Sequence, residues 1–113
     1  MVDIARFERA LMRTPKLKDR LFAVSEQFKD GSARPLRSLA GRFAAKEALI
    51  KAIGDSAGVG WHDMQVVTDQ LGNPSFELAG ATRVIALERN IYRIHLSMSH
   101  DAGVAIAYVV AES

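Results

Sequence analysis

Between residues 2 and 12, Ile4, Phe7, Ala10 and Leu11 recur with i, i+3 and i+7 spacing, which predicts a helix with one buried face. Arg6, Arg9 and Arg13 repeat the spacing on the other side, so three guanidiniums share a second face. Thr14-Pro15 ends the segment, since a residue before proline is pushed out of the helical region. Residues 17–28 carry no period that assigns them, and Asp30-Gly31-Ser32 with Pro35 reads as a loop.

A long helix follows over residues 36–53, with Gly54 placed to cap its C-terminus. At about 100° per residue, Leu36, Phe43, Ile50 and Gly54 form a narrow stripe, with Glu47 between Phe43 and Ile50. A carboxylate there is partly withdrawn from water and needs compensation. Lys51 stands at i+4 and can supply it. Two readings fit this pattern. One is a Glu–Lys pair at the edge of the core, and the other is a metal-ligating carboxylate beside a phosphate-binding lysine.

The period then shortens to that of strands. Residues 61–68 are β-branched and aromatic, Leu71-Gly72-Asn73-Pro74 is a turn, and residues 75–78 complete a hairpin. Residues 81–89 read as a second, loosely amphipathic helix. In residues 92–99, Tyr92, Ile94, Leu96 and Met98 alternate with Arg93, His95, Ser97 and Ser99, as in a half-buried strand; His95 is read as structural. A turn over residues 100–103 leads to an apolar strand over 104–111. The expected class is α+β with an antiparallel sheet, in one domain spanning residues 1–113. The final strand is apolar on both faces, which fits either burial under the two helices or a subunit interface.

Composition narrows the picture. The chain has 113 residues, 49% hydrophobic and 25% charged, the balance of a soluble globular protein. No apolar run is long enough to span a bilayer, and charges interrupt the N-terminus where a signal peptide would be apolar. The absence of cysteine excludes disulfides, zinc fingers of the cysteine type and thiol nucleophiles. A cytoplasmic address is the expectation, with no membrane partner. The formal net charge of +2 divides unevenly: residues 1–54 hold twelve Lys/Arg against six acids, and the remainder is acidic. This predicts an acidic partner or phosphorylated ligand near the first half, or else a solvated basic surface. A nucleic-acid module fits poorly, because the basic face lacks interleaved aromatics.

Gly41-Arg42-Phe43-Ala44-Ala45-Lys46-Glu47-Ala48, followed by Lys51-Ala52-Ile53-Gly54, resembles the signature helix of bacterial holo-acyl-carrier-protein synthases. Asp3-Ile4-Ala5-Arg6-Phe7, Gly72-Asn73-Pro74 and Leu96-Ser97-Met98-Ser99-His100-Asp101 match other parts of that family in its order. The resemblance implies the 4′-phosphopantetheinyl transferase fold, a long helix packed on an antiparallel sheet. It implies transfer of 4′-phosphopantetheine from coenzyme A to a serine of an acyl carrier protein, with Mg²⁺, by a homotrimer whose sites lie between subunits. Glu47 matches the helix-borne metal ligand and, with Lys51, the catalytic pair. Arg42, Lys51, Gly54, Gly72, Asn73, Pro74, Ser99 and His100 match the coenzyme-binding set, with Arg42, the Gly72–Pro74 turn and His100 acting across the interface. Arg6, Arg9 and Arg13 would dock the acidic carrier, chiefly through Arg6 and Arg13.

The match also places the family's second metal carboxylate, an aspartate ending the first strand, immediately before Met1. Asp3 falls three residues too late to replace it. The opening strand is therefore expected to be missing or truncated. A catalytically weak protein that binds coenzyme A or an acidic partner is the alternative.

Overall fold

The computed structural model describes residues 1–54 and 58–113. Its first strand, β1, is Val2–Asp3, followed at once by helix α1, Ile4–Arg13. An opening strand is thus present, two residues long. The helix starts later than its apolar period suggested, because Asp3 is its N-cap: Asp3 Oδ1 accepts from the Arg6 N–H at 3.0 Å. Val2 and Asp3 instead pair with Ala105 and Val104.

The segment that the sequence left unassigned forms two short helices, α2 (Leu17–Leu21) and α3 (Val24–Gln27). Glu26 reaches back to accept from the Ala23 N–H at 3.1 Å, satisfying a donor that the start of α3 would leave open. A small hairpin, β2 (Phe28–Lys29) and β3 (Ser32–Ala33), leads into the long helix α4, Leu36–Ile53. Gly54 closes α4 in the left-handed conformation, φ +87°, and its N–H donates to Ile50 O.

The buried side of α4 is not the expected stripe. Leu39, Ala40, Ala44, Ala45, Leu49 and Ile53 are buried, whereas Leu36, Phe43 and Ile50 are half-buried. Small residues let α4 lie close on the sheet: a Cβ at Gly41 would meet Met98 Cε at 3.1 Å. At this turn of α4 the fully buried charge is Lys46 rather than Glu47. Lys46 Nζ donates to Glu26 Oε1 at 2.6 Å, Leu21 O at 2.7 Å and Trp61 O at 3.0 Å, using all three protons. Glu26 Oε2 accepts from the Val66 N–H at 3.0 Å. The fully buried pair therefore joins α2, α3, α4 and the strand after Trp61. Burial lowers the Lys46 pKa, and Glu26 opposes that shift.

Trp61–Asp63 forms a 3-10 turn, so strand β4 is confined to Met64–Thr68. It pairs antiparallel with β5, Pro74–Leu78, from Met64↔Leu78 to Thr68↔Pro74. Helix α5 is Gly80–Glu88. Strands β6 (Arg93–Asp101) and β7 (Val104–Glu112) form the longest ladder, and His100 and Asp101 belong to β6 rather than to the turn. Only Ala102 and Gly103 turn the chain. The main sheet has the order β1-β7-β6. Ala105 and Ala107 face the core cluster containing Leu39, Ala40 and Ala44, and Ile94 and Val109 face a second one around Leu49, Ile53 and Met64 with Ile85 of α5. Both helices thus cover the same face. On the other face Tyr108 is 72% exposed and Val110 57% exposed, so burial within one chain does not account for the apolar character of β7.

Candidate active site

Two clefts lie on different sides of α4. The first, about 550 Å³, is lined by Asp3, Arg6 and Phe7 from the start of the chain, Phe43 and Glu47 from α4, and Val104 from β7. Phe43 stacks on Phe7 with ring centroids 5.2 Å apart and lies 5.7 Å from Trp61. That packing sets the turn of helix that carries Glu47. Glu47 is half-buried, and among the described residues neither a hydrogen bond nor an ion pair engages it. The expected pair with Lys51 is not formed. Lys51 is exposed and lines neither cleft, so the core-edge pair reading does not hold. Asp3 contributes a second carboxylate to the cleft wall, but one of its oxygens caps α1.

The second cleft, about 380 Å³, has a basic wall. Lys29 comes from β2, Arg34, Arg37 and Ser38 from around the start of α4, and Ser99 and His100 from β6. Gly72 and Pro74 form its outer edge. Arg42 lies behind this wall, only 3% exposed, with Nη1 donating to Ser38 Oγ at 2.7 Å. Its Nε and Nη2, together with Arg34 Nε, are buried without a partner among the described residues. Burial, with Arg34 adding to it and Glu26 opposing, lowers the Arg42 pKa to about 10, so the group stays cationic at neutral pH. Orphaned donors on paired guanidiniums suit a phosphate.

The structure thus separates the expected residues. Glu47 stands in the first cleft with Arg6, while Gly72, Pro74, Ser99 and His100 stand in the second, with Arg42 behind it. Among the described residues, none lines both. Asn73 does not face the cleft; its side chain donates to Asp69 Oδ2 at 3.1 Å. Gly54 acts as a helix cap outside both clefts. Arg9 and Arg13 are exposed on α1, outside the first cleft. Sequence reasoning missed Arg34 and Arg37. Their signal was the run Lys29, Arg34, Arg37 and Arg42 against the single acid Asp30. It also missed the Glu26–Lys46 pair, whose partners are too far apart in sequence for any local pattern to join.

Fold and clefts together define an α+β protein with a carboxylate-bearing cleft and a phosphate-suited cleft on separate sides of one helix. Residues 2–109 match the family model of the 4′-phosphopantetheinyl transferase superfamily, and the chain belongs to that family. It is 56% identical over 112 residues to the holo-[acyl-carrier-protein] synthase of Leifsonia xyli subsp. xyli, covering 99% of this chain and 91% of that protein. The holo-[acyl-carrier-protein] synthase of Neisseria meningitidis superposes with TM-score 0.89 at 32% identity, covering 99% of this chain and 93% of that one. The Helicobacter pylori enzyme, solved in complex with coenzyme A, gives TM-score 0.82 at 33% identity, covering 98% of this chain and 95% of that one.

Proposed function

We propose that the chain transfers 4′-phosphopantetheine from coenzyme A to a serine of an apo-acyl carrier protein. The observation that carries this reading, beside family membership, is that Arg34 in the wall of a basic cleft and Arg42 behind it hold buried donors without a partner among the described residues. In the reaction the serine oxygen bonds to the phosphorus that bears the pantetheine. The bond from that phosphorus to the bridging oxygen breaks, and 3′,5′-ADP leaves with the electron pair. Charge grows on the departing phosphate, and fixed cations stabilise it. Arg34, Arg37, Arg42 and His100 hold the nucleotide phosphates, and Lys51 approaches from its exposed position. The serine proton passes to Glu47, whose carboxylate carries no hydrogen bond among the described residues, or to water beside it.

Mg²⁺ fits this donor set in one respect: it takes one or two carboxylates, completing its shell with phosphate oxygens and water. Glu47 supplies one carboxylate. When bound, the ion neutralises the pyrophosphate.

The two halves of the site meet when the first cleft of one copy faces the second cleft of another. A homotrimer closes such a head-to-tail contact, and the bare face around Tyr108 and Val110 offers apolar surface for it. Arg6, Arg9 and Arg13 receive the acidic carrier. Both substrates place the protein in the cytoplasm. Mass spectrometry of an apo-carrier incubated with the protein, coenzyme A and Mg²⁺ tests the reading. An unmodified serine refutes it, and a sedimentation mass of one 12.4 kDa chain refutes the shared site.

A further inference from the structure

One side chain organises the turn at the edge of the second cleft. Asp69 Oδ1 accepts from the backbone N–H groups of Leu71 and Asn73, each at 2.9 Å, and Oδ2 accepts from Asn73 Nδ2 at 3.1 Å. The backbone closes the same loop, with Asp69 N donating to Asn73 O and Gly72 N to Asp69 O, both at 3.0 Å. Apolar packing contributes little: Leu71 is 87% exposed, and a Cβ on Gly72 would meet no atom within 4 Å. Gly72 holds φ +83°, a conformation most side chains resist. The turn therefore keeps its shape mainly through hydrogen bonds that converge on one carboxylate. Gly72 and Pro74 line the cleft, while Asn73 between them turns away onto Asp69.

We infer that Asp69 is a positioning residue for coenzyme binding, holding the 69–74 turn so that Gly72 and Pro74 shape the cleft, and that Asn73 acts through Asp69 rather than on the ligand. The inference rests on the second cleft being the coenzyme site. An acid this near a phosphate-suited wall would otherwise repel the ligand, but the donors gathered on it absorb its charge. They also hold its carboxyl below the usual carboxylate range, chiefly through the Asn73 backbone and then the Asn73 side chain.

The test is steady-state kinetics on the full chain with both substrates varied. Asp69→Ala should raise KM for coenzyme A roughly tenfold, the loss of one to two hydrogen bonds' net worth, with kcat and the carrier KM within about twofold of the parent. Asp69→Asn keeps an acceptor oxygen for Leu71 and Asn73 and should recover most of the loss. The double variant Asp69→Ala/Asn73→Ala should bind coenzyme A no worse than Asp69→Ala. An unchanged coenzyme KM in Asp69→Ala overturns the inference, as does a full additional penalty from Asn73→Ala on that background. Arg37→Ala separates the levels. If it raises the coenzyme KM while Asp69→Ala does not, the positioning role alone fails. If neither moves it, the cleft assignment fails and the inference falls with it.

Discussion

Around Glu47 the wall is a packed aromatic row, Phe7 on Phe43 and Phe43 on Trp61, and the carboxylate rides on the middle of α4. Around His100 the wall is made of arginines, a hairpin end and a turn held by Asp69. The first cleft draws its geometry from hydrophobic burial, which is insensitive to salt and pH. The second draws its geometry from hydrogen bonds and holds guanidinium donors that are buried without a partner among the described residues. The difference suits the division of labour proposed above. The reacting centre needs fixed positions, whereas the nucleotide end needs charge that a ligand can satisfy.

The largest effect should come from the first cleft. Glu47→Gln keeps shape and removes charge, so Mg²⁺-dependent transfer should fall about 10²-fold or more while coenzyme binding in the second cleft persists. Because no hydrogen bond or ion pair engages Glu47 among the described residues, its loss should leave the melting temperature unchanged, measured at fixed protein concentration. Transfer at the parent rate would remove Glu47 from the site.

The Glu26–Lys46 pair ties α2 and α3 to α4, which carries residues of both clefts, and breaking it should damage both at once. Lys46→Met leaves Glu26 buried without its cation and should destabilise the fold by about 3 kcal/mol in urea unfolding. Adding Glu26→Gln should recover much of that loss, because the buried charge is then gone as well. A Lys46→Met variant as stable as the parent would mean that water or a rearranged side chain satisfies Glu26.

Arg42 offers a sharper contrast. Its folded pKa, about 10, lies below a guanidinium's ordinary value, so the folded chain binds fewer protons than the unfolded chain between the two. The burial cost is therefore fully present below pH 10 and is relieved only as pH rises above it. At neutral pH Arg42→Met should leave stability equal or raise it by about 1 kcal/mol, while raising the coenzyme KM at least tenfold. The parent, but not this variant, should gain thermal stability from 3′,5′-ADP. Loss of stability in Arg42→Met without the nucleotide would show that the guanidinium is satisfied in the free protein.

What the sequence revealed follows the same divide. The arginine face of α1 and the existence of α4 were plain from helical spacing, and Glu47 was singled out by its stripe position and its motif. The buried face of α4 was misjudged because its alanines weigh little in an apolar count, and because Lys46 reads as polar although a carboxylate twenty positions away makes it a core residue. Trp61 and His62 carry strand propensity, yet Trp61 O must face Lys46 Nζ, and the chain winds into a 3-10 turn there. Asn73 was placed correctly on the cleft turn, but no pattern in a sequence tells which way its amide points. The second cleft was thus less visible than the first: its geometry depends on hydrogen bonds between residues that local periodicity does not relate.

The smallest expected effect lies outside both clefts and tests how far the first one extends. Arg6 lines the cleft with Glu47, whereas Arg13 sits two turns away on the same exposed face of α1. If that face receives an acidic carrier helix, Arg13 contributes at the rim, where a charge pair mainly governs encounter and salt dependence. Arg13→Glu should raise the carrier KM about fivefold at low salt and flatten its salt dependence, with kcat and the coenzyme KM unchanged. Arg6→Glu should do more, lowering kcat as well, because its charge reverses inside the cleft that holds Glu47. Equal effects of the two reversals on kcat would place Arg13 in the reacting cleft. No effect of either on the carrier KM would leave the arginine face a solvated surface, with the carrier docking elsewhere.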